Sequence, residues 1–246
     1  MIRALLLVSV LCLVAVAPVL VIAADKKSKE DPAATKLLAD ATAARAVWKD
    51  FPGFTADGEV YHHGRSFKAN IDVGDKGKVE VDFGQLKLVP EEEKEPARNE
   101  AKETLASIVG HRFPPDSDKK TPCKFAEVAE INPFGKLIEP LDDAMGSSYR
   151  IRDKQILEVN RQMKDSRFTI SVMENRQNED KLYLPVSYVV NFWDVKTDAL
   201  TRSVTYHLTW VRVDKFDLPE TADVVTASAG KQVEFSLRLS KHKLTK

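Results

Sequence analysis

The chain has 246 residues, of which 43% are hydrophobic and 30% charged, with 37 basic side chains against 37 acidic ones. That balance suits one globular domain with a real core, and it lacks the basic stripe that nucleic-acid binding requires. No nucleic-acid partner is expected, and nothing in the composition asks for a polyanionic or polycationic one.

The N-terminus reads as a secretory signal peptide over residues 1–24. Arg3 supplies a positive charge, Ala4 to Ala24 carries none, and Asp25-Lys26-Lys27 ends the run. Val21-Ile22-Ala23 before Ala24 provides small residues for cleavage. An uncleaved N-terminal anchor is the alternative, because the apolar run is long enough to span a bilayer. Leu11 precedes Cys12 where a lipoprotein signal needs a small residue. The expected location is the periplasm or the medium, with no integral membrane domain once the leader is removed. Cys123 is then the sole thiol of the mature chain. An internal disulfide is excluded, and burial is the expected state of that thiol.

A flexible charged linker is expected over residues 25–32, followed by an α+β domain over 33–246. Asp31-Pro32 has the form of a helix start, with Asp31 as N-cap. Leu37, Ala41, Ala44 and Trp48 continue one apolar stripe until Pro52-Gly53 stops it. Strands then run over Glu59–His63 and Ser66–Val73 about a turn at Gly64-Arg65, and over Val79–Phe83. A second helix runs from Pro90 or Pro96 to Val109. Glu91 to Glu93 sit at its start, Ala97, Ala101, Leu105 and Ile108 form its stripe, and Gly110 stands at the cap position.

From Cys123 onward, alternation is almost continuous. The clearest runs end in Ile151, Val172, Phe192, Trp210 and Leu239. Strict alternation buries one face and wets the other. The two helices are the only covers within the chain for that apolar face. The expected architecture is α+β: a large curved antiparallel β-sheet, half-barrel-like, wrapped around or covered by two helices.

Several short segments occur together in one order. They are Trp48 with Phe51 to Asp57, His111-Arg112, Tyr149 to Asp153, Arg161, Leu184 to Tyr188 and Leu218-Pro219. On these the chain, from about Ala33 to Val224, resembles an uncharacterised bacterial exported family known only as a domain of unknown function. The resemblance transfers no catalytic residue. A weaker likeness, in element order alone, is to periplasmic lipoprotein carriers and other lipid-binding half-barrels. It implies an apolar concavity that accepts an acyl chain, and it is an argument from fold.

Candidate chemistry is sparse. Neighbouring residues on a strand point to opposite faces, so His62-His63 should not share a metal ion without a bulge. No metal site and no cofactor are expected. His111 beside a helix end suits the helix dipole as well as catalysis. Gly146-Ser147-Ser148 is not a nucleophile elbow, and Asp142-Asp143 and Glu91 to Glu93 read as solvated runs. Trp48, Phe192, Tyr206, Trp210 and Phe235 are candidate ligand-binding residues, as is Trp193; core packing explains the same aromatics. Arg150 and Arg152 share a strand face and suit an anionic headgroup, while Arg161 follows nearby; a surface ion-pair ladder is the rival reading. The leading expectation is non-enzymatic binding of a lipid or other hydrophobic small molecule. A cell-envelope interaction or scaffold module is the first alternative. The second is a hydrolase whose residues converge only in the fold.

Overall fold

The computed structural model describes residues 29–84, 90–114, 121–127 and 131–245. The expected leader and Cys12 lie outside the described residues. Helices α1 (Pro32–Ala43) and α2 (Glu91–Gly110) accompany twelve strands. These are β1 (Phe54–His62), β2 (Arg65–Val73), β3 (Val79–Asp82), β4 (Cys123–Phe125), β5 (Lys136–Pro140) and β6 (Ser148–Arg152). The chain continues through β7 (Gln155–Gln162), β8 (Ser166–Gln177), β9 (Tyr183–Asp194), β10 (Leu200–Val213), β11 (Phe216–Ser228) and β12 (Lys231–Leu244).

All twelve strands join one antiparallel sheet in the order β3-β2-β1-β12-β11-β10-β9-β8-β7-β6-β5-β4. Nine strands from β4 to β12 form an uninterrupted meander, and β12 then pairs with β1. The first strands of the chain thereby extend the sheet begun by its last. The edges β3 and β4 have four and three residues, and such short edges offer little template for pairing with another chain.

The hairpins show why the sequence turns where it does. His63 and Gly64 both have positive φ, at 48° and 77°, which is the requirement of the two-residue turn whose twist matches the strands. The turn therefore falls one residue earlier than Gly64-Arg65, and Arg65 pairs with His62. The β6–β7 hairpin does the same without glycine, since Asp153 and Lys154 stand at 51° and 61°.

Helix α1 opens as expected. The Asp31 carboxylate accepts from the Ala33 amide at 2.8 Å, and its own amide donates to the Cys123 carbonyl. Thr35 Oγ1 donates to Glu30 and accepts from the Cys123 amide at 3.0 Å. The described end of the expected linker is thus tied to β4. The helix does not reach Trp48. It ends at Ala43, because the next residues bond elsewhere: Tyr183 donates to the Ala44 carbonyl and accepts from the Ala46 amide. Trp48 instead sits in an extended segment, 4% exposed. Helix α2 runs through Gly110, and the cap is His111 in right-handed geometry, so the glycine's conformational freedom is not used there.

Each helix covers a different end of the sheet. Helix α2 buries Ala97, Ala101, Leu105 and Ile108 against β1 and β3, within a cluster that includes Val60, Ile71 and Leu237. Helix α1 buries Ala34 and Ala41 against β4, β6 and β7, within a smaller cluster of Cys123, Ile138 and Ile151. The small alanines of both helices permit close approach to the strands. Full burial of a side chain such as Leu105 contributes about 1.5–3 kcal/mol.

Candidate functional site

Between the two covered ends, the apolar face continues across β7 to β10. Register fixes which side chains share it. Val159 pairs with Ile170, Ile170 with Val190, and Val190 with Val204. One step along the strands, Val172 pairs with Tyr188 and Tyr188 with Tyr206. One step the other way, Phe168 pairs with Phe192. Such residues are mostly buried at the α2 end, and Ile138 and Ile151 are buried at the α1 end, whereas Val159, Phe168, Ile170, Tyr188, Val190 and Phe192 are only half-buried. The principal helix contacts lie with strands other than β8, β9 and β10, α1 reaching the strip only at β7. The result is an apolar strip three strands wide, half open to solvent.

Three arginines and a histidine converge beside this strip, carried by the segments that follow the two helices and by β7. Arg45 lies two residues beyond α1 and Arg112 two residues beyond α2. Arg45 Nη2 donates to the His111 carbonyl at 2.8 Å, and Arg112 Nη1 donates to the Ala46 carbonyl at 3.1 Å. The Trp48 amide donates to the Arg112 carbonyl at 2.6 Å. Behind this strap, Trp48 stacks on Phe51 at 4.3 Å between centroids, and Phe113 packs edge-on against both rings. Gly77 leaves room for the Phe113 ring, since a Cβ there would lie 2.7 Å from it.

The electrostatics of the cluster are unusual. Arg112 is 3% exposed, its guanidinium lies 5.5 Å from the Trp210 ring centroid, and its Nε has no partner among the described residues. Burial and the charge of Arg45 pull its pKa down to about 9, against weaker support from Tyr188 and Asp217. Burial likewise lowers Arg45. Desolvation, then the charges of Arg112, Arg45 and Arg161, hold His111 down to about 4. His111 keeps an exposed surface, so water screens part of that repulsion. The Nε of Arg161 on β7 is also buried and unpartnered among the described residues. Tyr188, stacked on Tyr206 at 4.5 Å, is pushed up by burial and then by Tyr206, and is drawn down by Arg112.

No ion pair of Arg45, Arg112 or Arg161 occurs among the described residues, although Arg150, Arg167, Arg212 and Arg238 all have carboxylate partners. Asp217, the acid that acts on Arg112, accepts instead from Arg212 at 2.9 Å and Asn178 at 2.7 Å. Burying an unpaired charge costs several kcal/mol. An open depression of about 590 Å³ begins one residue beyond Arg161, lined by Asp143, Met145, Gln162 and Lys164.

The candidate residues separate into four groups. Trp48 and Phe235 are core residues, 4% and 1% exposed. Phe192, Tyr206 and Trp210 lie on or beside the strip; Arg202 stands 4.0 Å over the Phe192 ring, and Trp210 Nε1 donates to the Pro185 carbonyl. Arg150 and Arg152 are apart from it on β6. Arg150 faces Glu158 at 3.4 Å, and Arg152 reaches the Pro133 carbonyl and Asp153. Trp193 falls on the opposite face, beneath Arg167. Nothing in the local sequence marks Arg45 and Arg112 as ligand contacts. The available signal was a basic residue just past each helix end, His111-Arg112 being part of the family resemblance.

His62 and His63 do not point to opposite faces as strand geometry alone would have them. His63 turns back at positive φ, so its ring lies 4.2 Å from that of His62 instead of on the opposite face. His62 Nε2 stands 3.1 Å from Glu100. Even so, no group of three or more His, Cys, Asp or Glu placed to hold a metal ion occurs among the described residues. On the outer face, Ser187, His207 and Asp223 lie in register on β9, β10 and β11. Asp223 accepts from Ser236 and Arg238, so this row has the residue types of a nucleophilic triad without its hydrogen bonds.

The antiparallel sheet with two helices defines an α+β protein. Residues 29–245 match the family described as "Protein of unknown function (DUF3386)", and the chain belongs to that family. No curated protein matches it. No helix among the described residues is long and apolar enough to cross a membrane.

Proposed function

We propose that this protein is exported and holds a hydrophobic or lipid-like molecule on the apolar face of its sheet. The observation that carries the reading is the half-open strip of Val159, Phe168, Ile170, Tyr188, Val190 and Phe192. A contiguous apolar patch left uncovered between two packed ends suits an apolar guest. In this reading the sheet curves as a half-barrel, α1 and α2 close its two ends, and the guest lies between them. Export to the periplasm or medium is supported by the charge-free run Ala4 to Ala24 after Arg3.

The test is extraction of the purified protein into organic solvent, with mass spectrometry of the extract and titration with N-phenylnaphthylamine, whose fluorescence rises in apolar surroundings. A near-stoichiometric acyl compound, or saturable probe binding that this compound displaces, is expected. An empty extract together with no probe binding overturns the reading.

A further inference from the structure

We infer that Arg45, Arg112 and Arg161 form an oxyanion site that receives the carboxylate or phosphate headgroup of the molecule held on the strip. The inference rests on the binding reading above and specifies the chemical class of its ligand. Three observations carry it. Arg45 and Arg112 are locked together by crossed hydrogen bonds to the His111 and Ala46 carbonyls, and Arg161 stands on β7 across from Phe168 of the strip. None has an ion pair among the described residues, which they share with Arg176 and Arg202 of the sheet but not with Arg150, Arg167, Arg212 and Arg238. Two of them keep a buried Nε–H without an acceptor, on Arg112 and Arg161, and Arg112 is 3% exposed.

A guanidinium presents a fixed fork of donors that matches two oxygens of one planar or tetrahedral anion. Nε–H and one Nη–H make up one side of that fork, and Arg112 spends an Nη1 proton on the Ala46 carbonyl while its Nε is left over. An oxyanion would satisfy the leftover donors and neutralise charge that the fold offsets only at longer range, through Asp217 towards Arg112 and Asp143 towards Arg161. The neighbouring strip supplies the apolar half: Arg161 pairs across the strands with Phe168, and Phe168 with Phe192. Charge and apolar surface are therefore adjacent, as an anionic amphiphile requires. A cationic headgroup would meet like charge there.

The experiment displaces N-phenylnaphthylamine from the full chain with palmitate, hexadecyl phosphate and hexadecanol, all below their micellar concentrations. Inorganic phosphate and acetate are titrated separately by calorimetry. Palmitate or hexadecyl phosphate should bind at least about tenfold more tightly than hexadecanol. Arg161→Met and Arg112→Met should each remove most of that margin, read as the ratio of palmitate to hexadecanol affinity in the same variant. Arg161 is only half-buried, so its variant provides the folded control should Arg112→Met misfold. Equal binding of palmitate and hexadecanol overturns the headgroup site and leaves the apolar reading standing. Binding of inorganic phosphate or acetate, lost in the variants, with no displacement by any alkyl compound, supports the oxyanion site and overturns the apolar reading. Absence of binding in every arm overturns both.

Discussion

Arg45 and Arg112 each brace the segment that carries the other: Arg45 donates to the His111 carbonyl, and Arg112 donates to the Ala46 carbonyl. The two segments follow different helices, so this reciprocal pair couples the α1 end of the sheet to the α2 end. It also places two like charges side by side in a buried setting. Hydrogen bonds to carbonyls hold the guanidinium groups in position without neutralising them.

That arrangement predicts a cost to the empty protein. With its pKa pulled down only to about 9, Arg112 remains protonated at neutral pH, and folding disfavours that charged form. Replacing it with methionine keeps most of the stem volume, loses a charge-assisted hydrogen bond worth about 1.5–3 kcal/mol, and removes a buried charge costing several kcal/mol. Arg112→Met is therefore expected to hold or raise the urea midpoint of the ligand-free protein. A clear loss of stability would show that the strap stabilises more than its charge destabilises.

The strip makes a second prediction, read from two neighbours on β8. Ile170 faces Val159 and Val190, while Ser171 faces the other side. Ile170→Asp should weaken N-phenylnaphthylamine binding about tenfold or more, the apolar contact of such a side chain being worth about 1.5–3 kcal/mol. Ser171→Asp should leave it unchanged. Equal effects from both would place the probe elsewhere.

Much of this sheet is legible in the sequence. Alternation marks the strands from Tyr149 to Leu239, because a two-residue period has no other cause when one face is buried. The length of α1 is not legible. Ala44 and Trp48 continue its 3.6-residue period, and only the backbone bonds of Ala44 and Ala46 to Tyr183, over 130 residues on, pull the chain out of the helix. The arginine cluster is hidden for the same reason. Positions 45, 112 and 161 share no local pattern, and they meet through the strand order and the reciprocal strap. Arg150 and Arg152 show the converse. Their spacing is clear in the sequence, but cross-strand Glu158 and nearby backbone oxygen atoms occupy them.

Cys123 gives a third prediction. Its thiol is fully buried under α1, contacts the Thr121 carbonyl at 3.2 Å, and is pushed up to about 11 by burial and the charge of Glu30. Thiolate is the reactive form, so labelling by a maleimide at pH 7 should await opening of α1. Asp31→Ala, which removes the helix cap at a cost of about 1 kcal/mol, should speed labelling about fivefold if opening is in rapid equilibrium. Rapid labelling of the wild type, unaffected by this variant, would contradict the packing of α1 on β4.

The last prediction concerns pH and follows from His111. Its folded-state pKa of about 4 lies below the ordinary value of 6.5, so the unfolded chain binds a proton more readily than the folded one. By linkage, the stabilisation from keeping this imidazole neutral is complete above about pH 6.5 and is lost progressively as the pH falls towards 4. Depressed carboxylates such as Asp143 and Asp223 contribute losses of the same sign at lower pH, so the wild-type curve alone does not isolate the histidine. The informative quantity is the difference between wild type and His111→Asn. Urea midpoints measured at half-unit steps from pH 7.5 to 4 should fall more steeply for the wild type between 6.5 and 4, with the two curves running parallel above 7. Parallel curves throughout would mean that His111 titrates near its ordinary value. The charges of Arg45, Arg112 and Arg161 would then be too distant or too well screened to act on it as one cluster.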